Sequence, residues 1–227
     1  MLLDLHIHTK YSLDARINPG TLLKIAKDLG IGVAITDHNT MRGLHAVQRL
    51  KRVEKDWRDV LVIPGEEVHT NQGDLIGLFI QEEIRSREVY QVSDEIREQG
   101  GIVVVPHPFD TSRGSSIEPT PEMARAFDLV ECFNARCTSR VPNKKALVYA
   151  KANKLGVCGG SDAHTPSEIG AGLTEVDAGS EEEVYHKLRC RNPGVKVYGR
   201  LSPPHVRIIS AFTRIERRLT GNGFWEG

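Results

Sequence analysis

Residues 2–14 read LLDLHIHTKYSLD, an apolar run with two histidines one residue apart near its end. In a β-strand alternate side chains share a face, so His6 and His8 point together, with Asp4 at the same parity, while Leu5 and Ile7 point away. Such a pair is half of a metal site. Alone it says little in a chain of nine histidines, since short motifs arise by chance. Its weight comes from the later strands, almost all of which also end in a nitrogen or oxygen donor.

Residues 32–36 (GVAIT) form a short buried strand that leaves at Asp37-His38-Asn39. Residues 60–63 run into Pro64-Gly65-Glu66-Glu67, and residues 75–80 follow closely enough to pair back as a hairpin around Asn71-Gln72-Gly73. Residues 102–105 close on Pro106-His107-Pro108, where the prolines end the strand and start a long polar loop, 109–121. Residues 129–133 exit at Asn134-Ala135-Arg136, residues 157–159 exit at Gly160-Ser161-Asp162-Ala163-His164, and residues 173–176 carry no donor. Helical spacing predicts helices at 22–29, 41–55, 87–99, 143–155 and 180–189, the last capped by Ser180, with a short one at 122–127. Strands alternating with helices make an α/β fold. Six or seven units interrupted by a hairpin favour a TIM-like barrel that departs from the eightfold form over an open sheet.

One domain is expected, with the barrel over 1–200 and a C-terminal helix and tail over 201–227 packed on it. In that helix Val206, Ile208, Ile209, Phe212, Ile215 and Leu219 form an apolar stripe predicted to face the barrel, with Arg207, Arg214, Arg217 and Arg218 outside. A homodimer contact or an RNA-facing basic strip are the other uses of that helix. Trp225 in the tail either docks on a neighbour or stays disordered.

Lysine plus arginine and aspartate plus glutamate balance at 30 each, so bulk charge draws in neither nucleic acid nor membrane, and any anion site is local. Cys132, Cys137, Cys158 and Cys190 make no CxxC pair and are expected to be reduced core fillers. With no signal-peptide pattern and no apolar run of membrane-spanning length, the expected location is cytoplasmic.

Collected from the strand exits, His6, His8, Asp14, His38, Glu67, His107, Asp162 and His164 are imidazoles and carboxylates. That donor set suits zinc, manganese or iron rather than magnesium or calcium, and its size suits two or three divalent ions with a bridging carboxylate. His38 after Asp37 also fits a plain surface or capping residue, and Asp37 orients a neighbour or caps the next helix. His45, His186 and His205 lie in helical stretches and are treated as surface or packing residues. Asp4 is a candidate buried partner for an imidazole N–H.

In order, DLHIHT, TDH, GEE, PHP and GSDAH, over residues 2–164, resemble the PHP (polymerase and histidinol phosphatase) family of metal-dependent phosphoesterases. The resemblance implies a distorted (β/α)7 barrel with a trinuclear site at the carboxyl ends of the strands. It assigns His6, His8, Glu67 and Asp162 to one ion, with Glu67 bridging to a second that also takes His107, and Asp14, His38 and His164 to a third. Where many members carry a histidine after the hairpin glycine, this chain has Gly73-Asp74. Asp74 replaces that ligand or the second ion is weakly held, with His69 as an outside candidate.

The activity implied is hydrolysis of a phosphomonoester or nucleotide phosphate by a metal-activated water, with no protein nucleophile. Ser161 lacks a nucleophile-elbow setting. Arg113 and Arg136 are the candidate phosphate clamps, against a solvated-surface role for either. A 5′-end exonuclease on short RNA or DNA is the nearest alternative, with Arg136, Arg140, Lys144 and Lys145 clustered in sequence. It is disfavoured by neutrality and few aromatics. From other classes come a zinc amidohydrolase barrel and a catalytically silent metal- or phosphate-binding module.

Overall fold

The computed structural model describes residues 1–191 and 194–220; the question of Trp225 lies outside them. Nine strands form one sheet in the order β7-β6-β5-β4-β3-β2-β1-β8-β9. They are β1 (Leu2–Ile7), β2 (Gly32–Ile35), β3 (Val62–Thr70), β4 (Gly73–Leu78), β5 (Ile102–Val105), β6 (Leu129–Asn134), β7 (Gly156–Gly160), β8 (Gly172–Glu175) and β9 (Lys196–Gly199). Six helices intervene or follow: α1 (Pro19–Leu29), α2 (Arg42–Val53), α3 (Val89–Glu98), α4 (Arg140–Ala152), α5 (Glu181–Arg189) and α6 (His205–Thr220). Residues 121–126 form a 3₁₀ turn where a short helix was expected.

From β1 to β7 every strand runs the same way except β4, which pairs antiparallel with both β3 and β5. The expected hairpin is there, but β3 extends through Glu66 and Glu67 to Thr70. The barrel closes where β7 leaves: Ile7 bridges Ala163, and the His8 N–H donates to the Ala163 carbonyl at 2.9 Å. Further back, β1 pairs with β8 instead, and β9 extends that edge. This is a distorted (β/α)7 barrel with an antiparallel flap, and β9 has no counterpart in the sequence pattern.

Local chemistry sets the ends. Asn18 accepts the Gly20 N–H and Pro19 begins α1, which stops at Gly30 with φ of 65°. Ser180 caps α5 by accepting the Glu183 N–H at 3.2 Å. Ala34, Ile63, Ile76, Val104 and Leu129 belong to the cluster that fills the barrel, whereas Val33, Ile35, Val103, Val105 and Val130 pack under the helices. The alternation fails in β1, where the register shifts between Asp4 and Ile7. Leu3 and Leu5 join the interior cluster and Ile7 the helix layer, so Leu5 and Ile7 do not share a face as simple parity predicts. A bulge inserts one residue and turns the following side chains over.

α6 packs on the barrel through a face that keeps Val206 of the expected stripe but leaves the rest of it outside. Val206, Ser210 and Thr213 are its buried residues, while Ile208, Phe212, Ile215 and Leu219 are exposed, Phe212 by 68%. Arg217 and Arg214 reach inward because acceptors wait there, the Lys10 and Ser12 carbonyls for Arg217 and the Asp14 carboxylate for Arg214. Cys132, Cys137 and Cys158 are buried core residues as expected, but Cys190 is exposed. Among the described residues no helix is long and apolar enough to cross a membrane.

Gly160 carries the barrel closure. A Cβ there would collide with the His6 Cβ and come within 2.9 Å of Glu131 Oε1, in backbone that cannot retreat. Gly160→Ala is expected to lower unfolding stability by about 1–3 kcal/mol, as overpacking does; urea denaturation of the variant beside the parent measures it.

Candidate metal centre

β1 delivers His6 and His8 to the exit end, where their Nε2 atoms lie 3.1 Å apart. Glu67 approaches them from β3, at 3.4 Å from His6 through Oε1 and 3.3 Å from His8 through Oε2. Asp162, just past β7, completes the group through Oδ1, 3.7 Å from His6 and 3.4 Å from His8. Donors with metal bonds of about 2.0–2.1 Å at tetrahedral angles stand about 3.3 Å apart. His6, His8 and Glu67 therefore already hold the spacing of one ion's coordination shell, and Asp162 Oδ1 stands beside both histidines.

A second group shares the Oε1 oxygen of Glu67 with His6. His107 Nε2 is 3.1 Å from Glu67 Oε1 and 4.0 Å from Asp74 Oδ2. Because β4 runs backwards, its first residues sit at the exit end, which brings Asp74 to this place. His69 instead hydrogen-bonds to Asp74 Oδ1 at 2.7 Å and is largely exposed. The third group is Asp14, His38 and His164: Asp14 Oδ1 is 3.5 Å from His38 Nε2 and 3.4 Å from His164 Nε2. That oxygen is buried and has no hydrogen bond, a costly state for a carboxylate that a cation relieves. The donor chemistry, the spacing and this orphaned oxygen fit divalent metal ions.

Behind the donors, Glu131 is the partner that sequence reasoning missed. It accepts from His6 Nδ1 at 3.0 Å, from the His107 N–H at 2.7 Å and from Asn134 Nδ2 at 2.9 Å. A lone glutamate in the apolar strand LVECF was the available signal. Asp4, the expected imidazole partner, is turned by the β1 bulge to the Ser161 and Gly170 N–H groups, both at 2.8 Å. Left in an apolar setting, it is pushed by burial up to about 6. Asp37 does orient neighbours: it accepts from Thr9 and from Ser12, whose Oγ faces His8 Nδ1 at 3.3 Å. Glu66 faces away, accepting the Ile84 N–H, and burial lifts it to about 7.

The backbone bends to aim the donors. His107 and Asp162 have φ of 34° and 55°, left-handed values that β-carbon residues adopt at a cost and that cluster at working sites. His38 is held against β3 by paired bonds, Glu67 N–H to the Asp37 carbonyl at 3.1 Å and Asn39 N–H to the Glu67 carbonyl at 2.9 Å.

Arg113 and Arg136 do not stand free as phosphate clamps. Arg113 donates to Asp110 at 2.9 Å, to Asn134 at 3.1 Å and to Asp162 Oδ2, so it braces a candidate ligand. Arg136 is buried between Glu168 and α6, its Nε 3.2 Å from Glu168 and its Nη2 donating to Ser210 at 2.8 Å. His45, His186 and His205 are exposed and belong to none of the donor groups. Arg140, Lys144 and Lys145 lie on α4, outside the donor groups.

Charge at this end is strongly negative. Burial raises Asp162 and Glu67, but Arg113 and His6 for the first, and His6 and His38 for the second, outweigh it and hold both well below the usual carboxylate range. Conversely Glu67 and Asp14 overcome burial to raise His38 to about 10, and Glu131, Asp162 and Glu67 raise His6 as well. Burial and Arg136 pull His164 down to about 3, so it stays neutral as a ligand must.

The PHP-domain family profile matches residues 4–115 and the PHP-associated profile residues 141–193. An uncharacterized protein of Methanocaldococcus jannaschii is 38% identical over 177 residues, 75% of this chain and 68% of that protein. The chain belongs to the PHP family. Its fold is shared with a Bacteroides vulgatus two-domain protein containing a predicted PHP-like metal-dependent phosphoesterase (TM-score 0.72, 17% identity, 94% of this chain and 69% of that one). It is also shared with a Chromobacterium violaceum amidohydrolase carrying bound sulfate and no metal (TM-score 0.61, 15% identity, 86% and 97%).

The surrounding carboxylates favour the protonated forms of His38 and His6, so loading is expected to displace protons. An imidazole raised to about 10 resists metal at every lower pH. Metal affinity is expected to keep rising with pH from 6 to 9, as chelator competition reads; a plateau just above the ordinary histidine value of about 6.5 would contradict this.

Proposed function

We propose that this chain is a metal-dependent phosphoesterase that releases phosphate from a small phosphorylated substrate, a phosphomonoester such as a nucleotide phosphate. The observation that carries the reading is Glu67. Its Oε1 lies between His6 and His107 at 3.4 and 3.1 Å, and its Oε2 between His8 and His38 at 3.3 and 2.9 Å. One carboxylate with two imidazoles on each oxygen has the form of a bridge between ions. Two or three zinc, manganese or iron ions held there would supply an ionised water and neutralise charge on the phosphoryl oxygens.

The residues have separate tasks. His6, His8, Glu67 and Asp162 hold one position, Glu67, Asp74 and His107 the next, and Asp14, His38 and His164 the third. Glu131 fixes the His6 tautomer by accepting the hydrogen bond of its Nδ1–H. Arg113 keeps the Asp162 carboxylate ionised and aimed.

An amidohydrolase is the second reading, favoured by the shared fold of the Chromobacterium violaceum protein. A turnover assay on nucleoside monophosphates, nucleoside bisphosphates, short oligonucleotides and simple amides, with manganese or zinc, separates the two. Phosphate release from the monoesters is expected, and amide hydrolysis without it would favour the second. Glu67→Gln should bring turnover to background and reduce bound metal by elemental analysis while leaving the circular dichroism unchanged. A normal rate in that variant ends the phosphoesterase reading.

A further inference from the structure

α6 crosses the exit end of the barrel with Arg207, Arg214 and Arg217 reaching to the loops there. Arg217 Nη1 donates to the Lys10 and Ser12 carbonyls at 2.8 and 2.6 Å, and Arg207 Nη2 to Ser112 Oγ at 3.1 Å. With the Arg136 bond to Ser210, these fasten the helix to the loops that follow β1, β5 and β6. Such fastening needs no further arginine.

Arg214 is placed differently. Its Nη2 donates to Asp14 Oδ2 at 2.6 Å, yet the side chain is 52% exposed. The other oxygen of the same carboxylate is the buried, orphaned Oδ1 that faces His38 and His164. A half-solvated guanidinium therefore stands one carboxylate away from the donor cluster. The arginines expected to serve a substrate are already committed, Arg113 to Asp110, Asp162 and Asn134, and Arg136 to Glu168 and Ser210.

We propose that Arg214 is the residue that grips the substrate's phosphoryl group and that α6 serves to present it. This rests on the phosphoesterase reading and deepens it by naming the residue that selects a terminal phosphate dianion. A guanidinium offers five donors in a planar fork, so one nitrogen stays on Asp14 while others take phosphoryl oxygens. In a chain of zero formal net charge the attraction for a dianion comes from local cations, the metal ions the cluster would hold together with a guanidinium beside them. A terminal monoester phosphate brings two negative charges to the fork and an internal diester one, so the site favours chain ends and mononucleotides.

The test uses the metal-loaded full chain, with inorganic phosphate as the calorimetric probe and elemental analysis for metal content. Arg214→Gln keeps a donor for Asp14 and loses the charge. It is expected to retain the parent's metal content, to bind phosphate at least about tenfold more weakly and to raise KM for a monoester more than it changes kcat. Arg214→Lys should recover part of that loss, and Arg218→Ala, at an exposed position of the same helix, should bind phosphate as the parent does. Unchanged phosphate affinity in Arg214→Gln overturns the proposal. So does a loss that follows only the loss of metal, since Arg214 would then merely hold Asp14 in place. A metal-loaded parent that neither binds phosphate nor cleaves a monoester overturns the phosphoesterase reading and this proposal together, which separates that failure from the other two.

Discussion

The Glu67 carboxylate sits where the exits of β1, β2, β3 and β5 converge, and each oxygen lies between two imidazoles within 3.4 Å. Burying an ion costs several kcal/mol unless positive charge and hydrogen bonds surround it. Glu67 is buried together with Asp14, Asp74, Asp162 and Glu131, so this end of the barrel needs cations. The carboxylates around them raise the imidazoles of His6 and His38, which register the same negative field that a divalent ion would answer.

The departures from a regular barrel serve that convergence. The bulge in β1 keeps His6 and His8 aimed inward beside interior leucines. Reversal of β4 carries Asp74 to the exit end, and the bare backbone of Gly160 lets β7 close on β1, so Asp162 reaches the histidines of the first strand. Positive φ at His107 and Asp162 is the local strain in this arrangement. Glu131 joins three parts of the cluster through one side chain, which explains a charged residue inside an otherwise apolar strand.

Much of this was legible in the chain because metal donors obey two local rules that sequence displays. They sit at strand ends, and the ends are marked by glycine and proline, as in Pro64-Gly65 before Glu67 and Pro106-Pro108 around His107. What was not legible depends on three-dimensional neighbours. The β1 bulge depends on its pairing with β2, so parity misplaced Asp4 and Leu5. Glu131 is defined by the imidazole it meets from a strand far away in sequence. For α6 the hydrophobic stripe predicts the buried face only when no stronger partner competes, and here the Asp14 carboxylate and two loop carbonyls draw the arginines in, leaving Phe212 and Leu219 outside. Arg136 fails as a clamp for a related reason, since Glu168 and α6 bury it.

The most direct test of a carboxylate-bridged centre is anomalous diffraction from crystals grown with manganese or zinc, recorded on both sides of the metal's absorption edge. The account predicts at least two peaks about 3.5–4 Å apart with the oxygens of Glu67 shared between them and His6, His8 and Asp162 around one. A single peak with Glu67 unliganded, or metal bound only away from the strand exits, would contradict it.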